Sequence, residues 1–66
     1  MHIHLNGEPR EVPESTTVTE LLSSLDLGAL RVAVEVNLEI VPRARYLEHR
    51  LAEGDVVEVV SFVGGG

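Results

Sequence analysis

Hydrophobic and polar residues alternate from the first positions of the chain, with Ile3 and Leu5 on one side of an extended segment and His2 and His4 on the other. That period of two predicts a half-buried strand. Asn6-Gly7 follows, and because both central residues of a type I′ turn need positive φ, this pair predicts a hairpin. The returning strand should run to about Val12. Pro9 lies within it and has no N–H to donate, which makes it an edge strand or turns that position away from the ladder.

The period then lengthens. Val18, Leu21, Leu22 and Leu25 share one face of a helix, the stripe expected of a helix packed on a sheet. Ser15 and Thr16 lead into it, Thr17 caps it, and Glu20 three residues later completes a capping box. Gly28, after Asp26 and Leu27, is expected to supply the left-handed residue that ends it. Alternation returns where Val32, Val34 and Val36 interleave with Ala33 and Glu35, a third strand, and Asn37 turns the chain. Ile40 and Val41 form a short extended piece closed by Pro42. Arg43 to Arg50 reads as irregular or briefly helical, with Tyr46 and Leu47 facing inward.

After the turn cluster Glu53-Gly54-Asp55, the run from Val56 to Val63 is almost wholly β-branched or aromatic, interrupted only by Glu58 and Ser61. Apolar residues on both faces predict a strand in the middle of a sheet. The order of elements gives an α+β fold, one helix packed across a mixed four- to five-stranded sheet. Residues 1–63 form the expected domain and residues 64–66 a flexible glycine tail.

Composition narrows the function. Sixty-six residues suffice for one modest core and leave little chain with which to enclose a substrate. There is no cysteine, hence no disulfide, no thiolate metal site and no thiol nucleophile. A net charge of −6 keeps a small protein soluble, repels nucleic acid and anionic membranes, and attracts a basic protein partner. The chain opens without a basic leader or long apolar run, so a cytoplasmic location is expected. All five basic side chains are arginine, so an activated acyl end could form no isopeptide bond to a lysine of another copy.

Gly64, Gly65 and Gly66 contribute nothing to a core and raise the entropy of ordering, so stability gives no reason for them. Without Cβ atoms they can thread a narrow channel in another protein and carry a carboxylate to an enclosed site. An α-carboxyl titrates near pH ~3.3–3.7 and is ionised at neutrality, ready to attack the α-phosphate of ATP. The acyl adenylate so formed accepts sulfur, an amine or a thiol at the Gly66 carbonyl. Frayed glycine ends are common, but here the glycines follow directly on the strongest strand of the chain.

These residues resemble the thiamin-biosynthesis sulfur carrier family, which has the ubiquitin-like β-grasp fold. The likeness spans almost the whole chain. It rests on Asn6-Gly7, Thr17-Val18-Thr19-Glu20-Leu21-Leu22, Val34-Glu35-Val36-Asn37, Ile40-Val41-Pro42-Arg43, Glu53-Gly54-Asp55 and the Gly65-Gly66 end. The resemblance implies that Gly66 is adenylated by an E1-like adenylyltransferase, which uses ATP, and is then converted to a thiocarboxylate. Sulfur would come from a donor such as a cysteine desulfurase and pass to thiazole synthase, with no cofactor bound by the carrier itself. One departure bears on geometry: the position after Asn37, often glycine in the family, is Leu38 here.

Phe62 and Val63, leading into the tail, are the candidate partner surface, with a core position as the alternative for Phe62, the only phenylalanine. His2 and His4 share a strand face, but with no carboxylate or cysteine at a recognised ligand spacing they read as a solvated face, and no metal site is expected. Arg43, Arg45 and Arg50 read as a solvated loop or a contact for an acidic partner. Ser61 has no histidine placed beside it, so no catalytic constellation emerges. Three alternatives to the thiamin carrier stay open: a carrier for molybdopterin or cysteine synthesis, a ubiquitin-like modifier, and a non-covalent module with an inert tail.

Overall fold

The computed structural model describes residues 1–62; the expectations that fall on Val63, Gly64, Gly65 and Gly66 lie outside the described residues. Five strands form one mixed sheet with one helix against it. They are β1 (His2–Leu5), β2 (Glu8–Glu11), β3 (Val32–Val36), β4 (Glu39–Val41) and β5 (Val56–Ser61), in the spatial order β2-β1-β5-β3-β4. Helix α1 (Val18–Ser24) lies between β2 and β3 in the chain. The sheet is antiparallel except for the central β1–β5 pair, which is parallel.

The Asn6-Gly7 hairpin forms as the sequence predicts, with φ of 50° and 84° at its two residues. A two-residue turn makes Leu5–Glu8 the closing hydrogen-bonded pair, so His4–Pro9 falls on a non-hydrogen-bonded position. Pro9 is thus accommodated on an edge strand, with no ladder donor lost. The His4 N–H points the other way and donates to the Asp55 carbonyl (2.9 Å).

Helix α1 begins with each N–H of its first turn accounted for. The Thr17 side chain accepts from the Glu20 N–H (3.1 Å), and Glu20 Oε1 accepts from the Thr17 N–H (2.9 Å). The Val18 and Thr19 N–H groups donate to the carbonyls of His49 (3.0 Å) and Tyr46 (3.1 Å). The irregular segment before β5 therefore supplies the acceptors that the first turn of a helix lacks. A short 3₁₀ turn, Arg43–Arg45, sets its path. Tyr46, whose N–H closes this turn on the Arg43 carbonyl, packs against the core, whereas Leu47, expected to face inward, is 78% exposed.

The helix ends earlier than Gly28. Leu25 is its C-cap, and Asp26, at φ 60°, takes the left-handed position. The Leu27 N–H donates to the Leu22 carbonyl (2.8 Å) and the Asp26 N–H to the Ser23 carbonyl (3.0 Å), the two bonds of a Schellman motif. Leu27 folds back onto the core, and this contact, which glycine at position 28 does not determine, sets the stop.

Leu38 stands in the turn after Asn37, at the position that departs from the resemblance. Asn37 and Leu38 both have positive φ, 52° and 70°, and the Leu38 side chain is 86% exposed. Its strained backbone is therefore offset by no packing of its own side chain on the core. The core proper lies between α1 and one sheet face, where Ile3, Val18, Leu21, Val34 and Val57 are fully buried. Full burial of such side chains contributes about 1.5–3 kcal/mol each. Val12 and Leu51 join them from outside the regular elements.

Substitutions separate the left-handed residues from Gly28. Asp26→Gly and Leu38→Gly should each raise stability in urea unfolding by about 0.5–1 kcal/mol, since each relieves a side chain held at positive φ. Gly28→Ala should be close to neutral, because a Cβ there meets nothing nearer than 3.7 Å.

Candidate functional site

Strand β5 carries the chain to the glycine end, and the fold grips it from both sides. β3 pairs with it along five positions, from Val32–Ser61 to Val36–Val57. β1 pairs with it only at His4–Val56 and Leu5–Val57, and then turns away. The Asn6 side chain takes over where β1 stops: Oδ1 accepts from the Val59 N–H (2.8 Å) and Nδ2 donates to the Val59 carbonyl (3.2 Å). A side-chain amide here reproduces the next rung of the ladder. At the other end of β5, Asn37 does the equivalent, its Oδ1 accepting from the Val56 N–H (2.9 Å) and its Nδ2 donating to Asp55 Oδ1 (3.0 Å).

The two asparagines were legible in the sequence as turn formers. Their second role, holding the central strand, was not, because it depends on the sheet order bringing β5 between β1 and β3. The last described pairing is the Phe62 N–H donating to the Arg31 carbonyl (2.9 Å). From this anchored point the chain continues into Val63, Gly64, Gly65 and Gly66, outside the described residues.

Phe62 is 57% exposed, so the alternative of a core role is not what the structure displays. Val57 and Val59 point into the core, while Val56, Glu58, Val60 and Phe62 lie on the opposite, open face. The sequence correctly put β5 in the middle of the sheet. Its apolar residues on the second face are nonetheless uncovered, Val60 being 56% exposed, because α1 covers only the other face.

The remaining candidates separate. His2 stands between Glu11 (3.7 Å) and Glu53 (3.8 Å), carboxylates that the sequence did not place beside it and that the β1–β2 register and the Glu53-Gly54 turn bring there. Glu53 also accepts the His2 backbone N–H (3.0 Å), so the contact ties the start of β1 to that turn. Among the described residues no group of three or more His, Asp or Glu side chains is placed to hold a metal ion. His49 lines a groove beside β4 with Arg45 and Arg50. Arg45 is paired with Glu48 (3.0 Å) and Arg50 donates to the Ser15 carbonyl (3.0 Å), so both guanidinium groups have partners within the chain. No helix among the described residues is long and apolar enough to cross a membrane.

One helix across a five-stranded mixed sheet, with parallel first and last strands at its centre, defines a ubiquitin-like β-grasp protein. The crystal structure of the thiamine biosynthesis protein ThiS from Geobacter metallireducens superposes with a TM-score of 0.84 at 40% identity, covering all of both chains. The ThiS family model matches residues 3–66, and the chain belongs to that family. The sulfur carrier protein ThiS of Bacillus subtilis is 43% identical over 97% of this chain and 98% of its own length. The thiazole synthase of Paramagnetospirillum magneticum is 46% identical over the whole of this chain, which spans 20% of that protein.

The Asn6 clasp can be isolated from the turn geometry by Asn6→Gly, which keeps the positive φ and removes both side-chain bonds. Unfolding in urea should be easier by about 1–2 kcal/mol, the worth of two partly buried hydrogen bonds less the strain relieved. Phe62→Ala, by contrast, should shift the midpoint little.

Proposed function

We propose that this protein is a sulfur carrier of thiamine biosynthesis and that Gly66 carries its cargo. The observation on which this rests is the placement of β5: an interior strand, bonded on both sides and clasped by Asn6 and Asn37, leads through Phe62 to the glycines. A carrier needs a rigid body behind a slim reactive end, so that a partner can hold the body and admit only the tail. Glycine is the residue with no side chain to obstruct that entry.

The chemistry follows from the carboxylate. Its oxygen attacks the α-phosphate of ATP in the site of an E1-like adenylyltransferase, pyrophosphate leaves, and the acyl adenylate results. The terminal sulfur of a donor persulfide, such as one formed by a cysteine desulfurase, displaces AMP at the Gly66 carbonyl, and a thiol then reduces the resulting acyl disulfide, releasing the thiocarboxylate and leaving the thiol's own disulfide with the donor. Thiazole synthase is the proposed acceptor, and the carrier returns with its carboxylate restored. It acts as co-substrate and not as catalyst, and ATP is bound by the activating enzyme.

Membership of the ThiS family supports the carrier role. The choice of acceptor is supported by a relative named thiazole synthase that contains a segment similar to this entire chain, so that carrier-like and synthase sequence share one polypeptide there. Phe62 and Val63 are the proposed contact nearest the tail, Phe62 being exposed just beyond the end of β5.

Intact mass after incubation with the activating enzyme, ATP and a sulfur donor tests this reading. The full chain should gain the mass of one oxygen exchanged for one sulfur, and a chain lacking Gly65 and Gly66 should gain nothing while unfolding at the same denaturant concentration. Covalent conjugates to amines in place of that gain would make the protein a modifier instead.

A further inference from the structure

Asn6-Gly7 is the one asparagine–glycine pair in the chain, and the only other asparagine, Asn37, is followed by Leu38. The pair carries a reaction of its own. An asparagine carboxamide is open to attack at Cγ by the backbone nitrogen of the next residue, and glycine, with no Cβ to shield that nitrogen, permits the attack most readily. Both residues are exposed, and a Cβ built on Gly7 would meet nothing within 4 Å, so water has access to the turn.

Against this stands the hold of β5. The Asn6 backbone N–H donates to the Val57 carbonyl (2.9 Å), and the carboxamide meets Val59 through both of its polar atoms, Oδ1 at 2.8 Å and Nδ2 at 3.2 Å. For Cγ to close on the Gly7 nitrogen, the carboxamide has to turn away from Val59 and give up both bonds. The bonds that clasp the strand therefore also hold back the reaction.

We infer that Asn6 is a site of spontaneous deamidation, restrained by the Val59 clasp while the chain is folded and releasing that clasp once it has reacted. The Gly7 nitrogen forms a bond to Cγ and loses its proton, the Cγ–Nδ2 bond breaks, and ammonia leaves with that proton, giving a five-membered cyclic imide. Water then opens the imide at either carbonyl. Opening at Cγ leaves aspartate; opening at the backbone carbonyl leaves isoaspartate, whose main chain runs through the side-chain carbons. The balance is one water taken up and one ammonia released, with nothing oxidised or reduced. Aspartate keeps an acceptor for the Val59 N–H but sets an oxygen, where a donor stood, against the Val59 carbonyl. Isoaspartate adds a carbon to the two-residue turn that fixes the Leu5–Glu8 pairing. Either product weakens the hold on β5 just where β1 has stopped pairing with it. The inference stands apart from the carrier reading and goes beyond it.

The test follows the full chain at neutral pH, in buffer and in guanidinium chloride sufficient to unfold it, by mass spectrometry of tryptic peptides. Cleavage after arginine leaves Asn6 in peptide 1–10 and Asn37 in peptide 32–43, so the two sites are read separately. In denaturant, peptide 1–10 should gain the mass of an amide exchanged for an acid and split into aspartyl and isoaspartyl forms, well ahead of peptide 32–43. In buffer the same conversion should run about tenfold slower or more, as expected for a step that first breaks two partly buried hydrogen bonds. Chains converted in denaturant and returned to buffer, and the variant Asn6→Asp, should each have a folding equilibrium about tenfold less favourable than the parent. Equal rates in buffer and denaturant would overturn the inference. So would peptide 32–43 reacting as fast as 1–10 in denaturant, or converted chains as stable as the parent. An Asn6→Asp chain too unstable to fold would be the same loss carried further, and the two rates measured on the parent would still decide whether the clasp restrains the reaction.

Discussion

Everything in this fold turns on how strand β5 is held. It is the strand to which both hairpins attach, one through β1 and the other through β3, so the two halves of the sheet meet only through it. The parallel side is short, two paired positions, and a parallel pair is slightly weaker per residue than an antiparallel one. Asn6 and Asn37 compensate by adding side-chain bonds to the β5 backbone at Val59 and Val56. Both residues occupy left-handed turn positions, which asparagine tolerates better than most residues and from which its amide reaches the neighbouring backbone. The same residue type thus makes the turn and secures the strand.

The second constraint is that a single helix serves the whole sheet. One sheet face is covered by α1 and holds the core, and the other is left to solvent although β5 and the residue after it supply Val56, Val60 and Phe62. A second layer of structure would be needed to cover that face. Val60 and Phe62 on that face are the last exposed apolar residues described before the chain continues to the group that the proposed chemistry uses.

Much of this was readable from the residues. The Asn6-Gly7 hairpin, the Thr17–Glu20 capping box, the alternation of Val32, Val34 and Val36 and the central position of β5 depend on local propensity or on period, and each formed as expected. The errors arose where tertiary contacts outrank local preference. Glycine is the usual left-handed residue at a helix end, yet Leu27 packing on the core moved that role to Asp26. Tyr46 and Leu47 were equivalent as sequence, and only the first packs on the core in the segment that follows the 3₁₀ turn. The carbonyls of Tyr46 and His49 that complete the start of α1 leave no trace in side-chain identity at all.

For the site itself, the sequence pointed to Gly66 through composition and position, and to Phe62 only through adjacency. The fold adds the reason that adjacency matters. Phe62 is the last described residue whose backbone is tied to the sheet, by its bond to Arg31, and its side chain emerges on the uncovered face. In the proposed function a partner that closes on this face holds the body there, and the number of residues that remain sets how far the carboxylate can reach. At about 3.3–3.6 Å per extended residue, the four residues after Phe62 span at most ~14 Å. On the proposed carrier reading, that length limits how far the Gly66 carboxylate can lie from the contact at Phe62, so contact residue and proposed reactive end have to be close together in the chain.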